Sequence, residues 1–136
     1  MVMRFGKDVK TKLISGVPLF AQCSKAELQE IAAIADEIDI AEGKELTREG
    51  SPGREFFVII EGTASVAQDG DQINNLGPGD FFGEVALVKD TPRTATVTAT
   101  SPVRALVITR QNFKRLIEQQ PDIERTVLKA LVDRSP

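Results

Sequence analysis

From Asp36 to Thr109 the apolar residues come in short alternating runs, and glycine or proline cuts off nearly every one. A helix needs its apolar residues three and four apart, so this stretch has no room for one of ordinary length. Ile38 and Ile40 alternate with acids before Gly43 turns the chain, and Leu46 to Arg48 reads as a further short strand. Gly50-Ser51-Pro52-Gly53 is dense turn chemistry. Glu55 to Glu61 has the composition of a buried strand, and Gly62 ends it. Thr63 to Gln68 and Asp71 to Leu76 flank Asp69-Gly70, a strong hairpin signal. Thr94 to Thr100 alternates threonine strictly with apolar residues, which predicts a strand with one face in the core. Ser101-Pro102 then turns the chain into a last strand, Val103 to Thr109.

Helices are predicted on either side. Asp8 to Ile14 carries Val9 and Leu13 at helical spacing, Gly16 offers a left-handed C-terminal residue, and Pro18 forbids continuation. Ser24 and Glu27 form a capping box ahead of Leu28, Ile31, Ala32 and Ala35, which share one face. Near the C-terminus Phe113, Leu116 and Ile117 define one helix, which Pro121 ends while opening the next. Ile123, Val127 and Leu131 make a stripe on that second helix, with Leu128 beside it, of the kind used for core or dimer contacts. The expected class is mainly β with flanking helices (α+β): a small antiparallel barrel or jelly roll with helices gathered at its ends.

Composition removes several functions. The chain has 136 residues, room for one domain, and 41% of them are hydrophobic, so disorder is disfavoured. No apolar run is long enough to span a membrane, and the first residues lack the apolar core of a secretory signal. The net charge of −3 comes with interspersed signs, and no basic stripe or recognition helix suggests direct nucleic-acid binding. With no histidine, His-dependent metal sites and Ser-His-Asp catalysis are excluded, and a metal-dependent cupin-like enzyme is disfavoured. Cys23 is the only cysteine, which fits a reducing, cytoplasmic compartment and reads as a packed hydrophobe.

The chemistry concentrates in Gly77-Pro78-Gly79-Asp80-Phe81-Phe82-Gly83-Glu84-Val85-Ala86-Leu87, continued by Pro92-Arg93-Thr94-Ala95-Thr96-Val97. Gly83 lets a ligand approach the backbone. A helical turn over Glu84 to Leu87 would aim unpaired N–H groups outward, where an anion binds. Arg93 adds a planar fork matched to phosphate oxygens. Glu84, nine positions before Arg93, would repel an anion unless it met hydroxyl donors. The site therefore asks for a phosphate joined to a sugar hydroxyl.

Phe82 to Leu87 followed by Pro92 to Val97 resembles the phosphate-binding cassette of cyclic nucleotide-binding domains. Glu55 to Gly62 and Leu76 to Glu84 are similar to that family's central strand and the approach to its cassette, so the likeness runs from about Val17 to the C-terminal helix. It implies one domain over residues 1–136: an N-terminal helical segment (1–35), an antiparallel β-roll (36–109) with the cassette at 82–97, and two C-terminal helices (110–136). It further implies a 3′,5′-cyclic nucleotide as ligand, with no other cofactor and no catalysis. Glu84 would accept from the ribose 2′-hydroxyl beside Gly83 and Phe82, and Arg93 would clasp the cyclic phosphate. The amides of Ala86 and Ala95 and the side chain of Thr94 would complete the cradle, with Val85 against ribose and base. Cyclic AMP is the favoured ligand, whereas a threonine at 94 resembles cyclic GMP-selective members. With neither Trp nor Tyr in the chain, Leu128, Leu131 and Val132 are the candidate aliphatic lid. The implied role is a sensor that signals through its C-terminal helix to an effector domain or partner, with homodimerisation left open; a roll that has lost its ligand and serves only as a protein contact is the alternative.

Overall fold

The structure of the chain is a computed structural model; it describes residues 7–87 and 89–134, and for Lys7, Asp8, Glu84 and residues 131–134 the backbone alone. Helix α1 (Lys7–Ser15), a 3-10 turn (Pro18–Phe20) and α2 (Lys25–Ala33) precede the strands. These are β1 (Asp36–Ile40), β2 (Glu45–Thr47), β3 (Glu55–Glu61), β4 (Ala64–Gln68), β5 (Asp71–Leu76) and β6 (Phe81–Phe82). A second 3-10 turn (Glu84–Leu87) follows, then β7 (Thr96–Ala99), β8 (Val103–Thr109), α3 (Arg110–Gln119) and α4 (Pro121–Arg134). Among the described residues the strands form two antiparallel four-stranded sheets, ordered β1-β8-β3-β6 and β2-β7-β4-β5. The family's β-roll with flanking helices is thus the fold observed.

Strands β3 and β8 are apolar through their central residues because both of their faces are covered there. Phe56, Val58, Leu106 and Ile108 point to the helices, where they pack with Phe20, Ile31, Phe113, Ile123 and Val127. Ile59, Val103 and Ala105 point the other way, onto Ala64, Val97 and Ala99 of the second sheet. Each large side chain buried in this manner contributes about 1.5–3 kcal/mol. A run of ring contacts ties the elements together: Phe81 meets Phe56 edge-on at 6.1 Å, Phe56 meets Phe20 at 5.9 Å, and Phe20 meets Phe113 at 6.2 Å.

Local chemistry sets the boundaries. The Ser24 hydroxyl accepts from the Glu27 N–H, and the Glu27 carboxylate accepts from the Ser24 N–H, so the predicted capping box starts α2. Asp69 (φ 53°) and Gly70 (φ 84°) supply the two left-handed residues that a tight hairpin turn needs. Gly16, in contrast, does not take the left-handed conformation expected of it. Its N–H donates to the Leu13 carbonyl, and the chain tightens directly into the Pro18 turn. The strand expected from Thr94 starts only at Thr96. Backbone bonds from the 50–53 loop hold Arg93 out of the ladder.

Two expectations follow for stability. Gly62 sits at φ 95°, and a Cβ there would collide with the Pro102 carbonyl oxygen, a backbone atom that cannot swing aside. Gly62→Ala should therefore lower unfolding free energy in urea by about 2 kcal/mol or more; a loss near zero would contradict the packing. The Cys23 thiol is buried, and burial, helped by Glu27, pushes its pKa from 9.0 up to about 11. The folded state then holds the thiol proton more tightly than the unfolded state does. This contribution is complete below pH 9.0 and is lost as pH rises through about 11. Alkaline urea titrations should show that decline, and Cys23→Ala should lack its share of it.

A candidate anion cradle built on Arg93

Two loops meet to fix Arg93. Its N–H donates to the Ser51 carbonyl at 2.8 Å, and its own carbonyl accepts from the Gly50 N–H at 2.8 Å. The Gly53 N–H reaches the Thr91 carbonyl at 3.3 Å, and Pro52 bridges Pro92. Proline cannot donate, so the pairing falls on the residues flanking each proline. The side chain then lies over two glycines. A Cβ on buried Gly53 would stand 3.2 Å from Arg93 Cδ and Nε, and one on Gly83 would stand 2.5 Å from Nη1 and 2.7 Å from the Glu55 carbonyl oxygen. Gly83 also has φ 84°, so glycine is required there on both counts. The guanidinium is fixed at its tip, where Nη2 donates to the Glu55 carbonyl at 2.5 Å. Burial pushes its pKa down, and the Glu55 carboxylate partly offsets that. Arginine stays charged through such a shift, so the result is a half-desolvated cation at the wall of a pocket.

That pocket has a volume of about 540 Å³, within the size range of small-molecule sites. Phe82, Gly83, Val85, Ala86, Arg93, Thr94 and Ala95 all line it. The structure thus brings together seven of the eight residues predicted for the site; the eighth, Glu84, has a side chain outside the described residues. Phe82 stacks on Phe57 at 4.9 Å and 15°, which fixes the approach to Gly83. Thr47 is buried, and its hydroxyl donates to the Ala95 carbonyl at 3.2 Å, holding the far side. The 3-10 turn at Glu84–Leu87 is the helical turn the sequence suggested. Within it the Ala86 N–H donates back to the Gly83 carbonyl at 3.0 Å.

Sequence reasoning missed the opposite wall. Thr47, Val97, Val66 and Asn74 stand in one cross-strand row, and all four line the pocket. Val66 pairs with Asn74 but Ala67 pairs with Gln72, so Ile73 is an extra residue in β5. Such a bulge re-aims side chains. Ile73, 56% exposed, and Val85, 40% exposed, are large apolar side chains left open at this pocket. Leu128 lies elsewhere, in the groove of about 410 Å³ between the 3-10 turn and the C-terminal helices, with Leu87, Phe113 and Val127. The other two candidate lid side chains, Leu131 and Val132, fall outside the described residues. Nothing in the local sequence announces the bulge, whereas the Val66 and Val97 alternation does point to a shared face.

Comparisons with known proteins bear on the family and the fold. The family profile described as "Cyclic nucleotide-binding domain" matches residues 37–120. Over 123 residues, 90% of the chain, the sequence is 36% identical to a cyclic nucleotide-gated potassium channel of Mesorhizobium japonicum, of which it spans only 34%. Among solved structures, the N-terminal domain of a transcriptional regulator from Streptomyces coelicolor A3(2) superposes with a TM-score of 0.83 at 29% identity, covering 90% of this chain and 91% of that one. A chain described as cAMP-bound PfPKA-R gives a TM-score of 0.70 at 28% identity, covering 93% of this chain and 46% of that one. Among the described residues no helix is long and apolar enough to cross a membrane. With the roll observed and the profile matched over more than half of its length, the chain belongs to the cyclic nucleotide-binding domain family, whose members regulate rather than catalyse.

Proposed function

We propose that the chain is a sensor that binds cyclic AMP in the Arg93 pocket and passes its occupancy through α3 and α4 to an effector. The observation that carries this reading is Arg93 itself, half-buried over Gly53 and Gly83 with its tip on a backbone carbonyl. A carbonyl is a weaker partner for a guanidinium than a phosphate is, so a cyclic phosphate has a net gain available by replacing it. Glu84 takes the ribose 2′-hydroxyl, Thr94, Ala95 and the Ala86 amide complete the phosphate contacts, and Val85 packs against ribose and base. The family's regulatory character and the channel, regulator and PfPKA-R relatives support an attached or partner effector in the cytoplasm. Thr94, exposed at the pocket rim, favours a second reading in which the ligand is cyclic GMP.

Calorimetric titration with cyclic AMP and cyclic GMP tests the proposal directly. A charge-assisted hydrogen bond contributes about 1.5–3 kcal/mol, so Arg93→Ala should weaken binding at least about tenfold. No heat from either nucleotide at millimolar concentration would refute the sensor reading, and the tighter of the two decides between its forms. Gly83→Ala should weaken binding as strongly as Arg93→Ala does, because a Cβ there takes the space of the guanidinium. Wild-type affinity in that variant would mean the guanidinium is not held where the phosphate arrives.

A further inference from the structure

Ala86 is bonded on two sides, and the second side leads out of the site. Its N–H donates into the 3-10 turn, to the Gly83 carbonyl at 3.0 Å. Its carbonyl faces the other way and accepts from Arg110 Nε at 2.9 Å. The same guanidinium reaches Asp90, just past the turn, through Nη1 at 3.2 Å. Arg110 is the first residue of α3, and its own N–H donates to the Arg54 carbonyl at 2.8 Å. Arg54 precedes Glu55, whose carbonyl holds Arg93. One residue at the start of α3 therefore touches both halves of the cradle.

We propose that Arg110 is the positioning residue that couples the cradle to α3 and α4. This rests on the cyclic nucleotide reading above. The turn Glu84–Leu87 is four residues long and is extended by one further backbone bond, from the Lys89 N–H to the Val85 carbonyl at 2.9 Å, so it has far less reinforcement than a long helix. A cation at its C-terminal carbonyl stabilises it. When a phosphate takes the Ala86 N–H, the bond to the Gly83 carbonyl is lost or shared, the turn rewinds, and the Ala86 carbonyl moves. Arg110 then either follows, carrying the first turn of α3 with it, or resists. The energy of that choice is the coupling. It acts in both directions, so α3 influences nucleotide affinity as much as the nucleotide influences α3. The Arg110–Asp90 pair alone contributes little, since Asp90 is 81% exposed at its side chain although Arg110 is largely covered. The bond from Nε to the Ala86 carbonyl matters more, and lysine cannot make it with the same fixed geometry while reaching Asp90.

The test is hydrogen exchange on the whole chain, free and saturated with whichever of cyclic AMP and cyclic GMP binds the wild type, for wild type, Arg110→Gln, Arg110→Lys and Asp90→Asn. In the wild type, saturation should change exchange in the turn and in residues 110–134. In Arg110→Gln the nucleotide should still saturate, with affinity weakened about tenfold, and the change in residues 110–134 should disappear while that in the turn remains. Arg110→Lys should fall between, and Asp90→Asn should keep most of the response. Should Arg110→Gln fail to fold, Arg110→Lys decides, and an undiminished response in it overturns the coupling. A full wild-type response in saturated Arg110→Gln does the same, as does a wild type that binds nucleotide without any change in α3 and α4. A wild type that binds neither nucleotide refutes the sensor reading instead.

Discussion

The Arg93 guanidinium on the Glu55 carbonyl is the contact on which the arrangement of this protein turns. Glu55 opens β3, in register with Thr109 at the end of β8, so its carbonyl is held by the centre of the first sheet. The arginine reaches that carbonyl only because Gly53 and Gly83 present no side chain along its path. Three segments distant in sequence must therefore be correct at once: the 50–53 loop, the start of β3 and the start of the 3-10 turn. The buried strands β3 and β8 supply the rigidity, with their even and odd residues committed to different cores. Moving Glu55 by one register position would turn those apolar residues to the wrong faces. The site thus inherits its precision from the core.

Much of this is legible in the residues, for a physical reason. Side-chain period and turn chemistry are local, and here they agree: Asp69-Gly70 between alternating runs, the Ser24 and Glu27 capping box, and Pro121 at the first position of α4 all act within a few residues. Gly83 and Arg93 stand out because each has a chemistry that few other residues can supply. What stays hidden depends on long-range pairing. The 50–53 loop reads only as a turn, yet it is what withholds Arg93 from strand β7. Gly16 reads as a helix terminator, yet the Pro18 turn that follows makes a left-handed residue unnecessary. The Ile73 bulge exists because β5 pairs with β4 out of step, and no residue in β5 announces it.

The absence of Trp and Tyr shapes the pocket as well. The seven phenylalanines of the chain are spent largely on structure: Phe20, Phe56, Phe81 and Phe113 form the ring contacts running from β6 to α3, and Phe57 and Phe82 stack beneath the cradle. The large apolar side chains left open at the pocket are therefore aliphatic. Val85 comes from the turn and Ile73 from the bulge. Leu128, expected from sequence as part of a lid, packs instead along the groove beside Leu87. For it to cover a ligand in the Arg93 pocket, α4 would have to move.

The demand for movement leads back to Ala86. A stiff cradle would bind tightly but report nothing, because a ligand shifts an equilibrium only by its difference in affinity between two states. The protein places stiffness and compliance side by side. Arg93 is fixed by backbone bonds on both sides and by two glycines, while the short turn before it is held from behind by Arg110. On the proposed reading, a phosphate would find its cation already placed, and its remaining interaction would fall on the short turn. Because the Ala86 carbonyl in that turn is bonded to Arg110, the first residue of α3, the proposed binding and the proposed signal would share the same peptide groups.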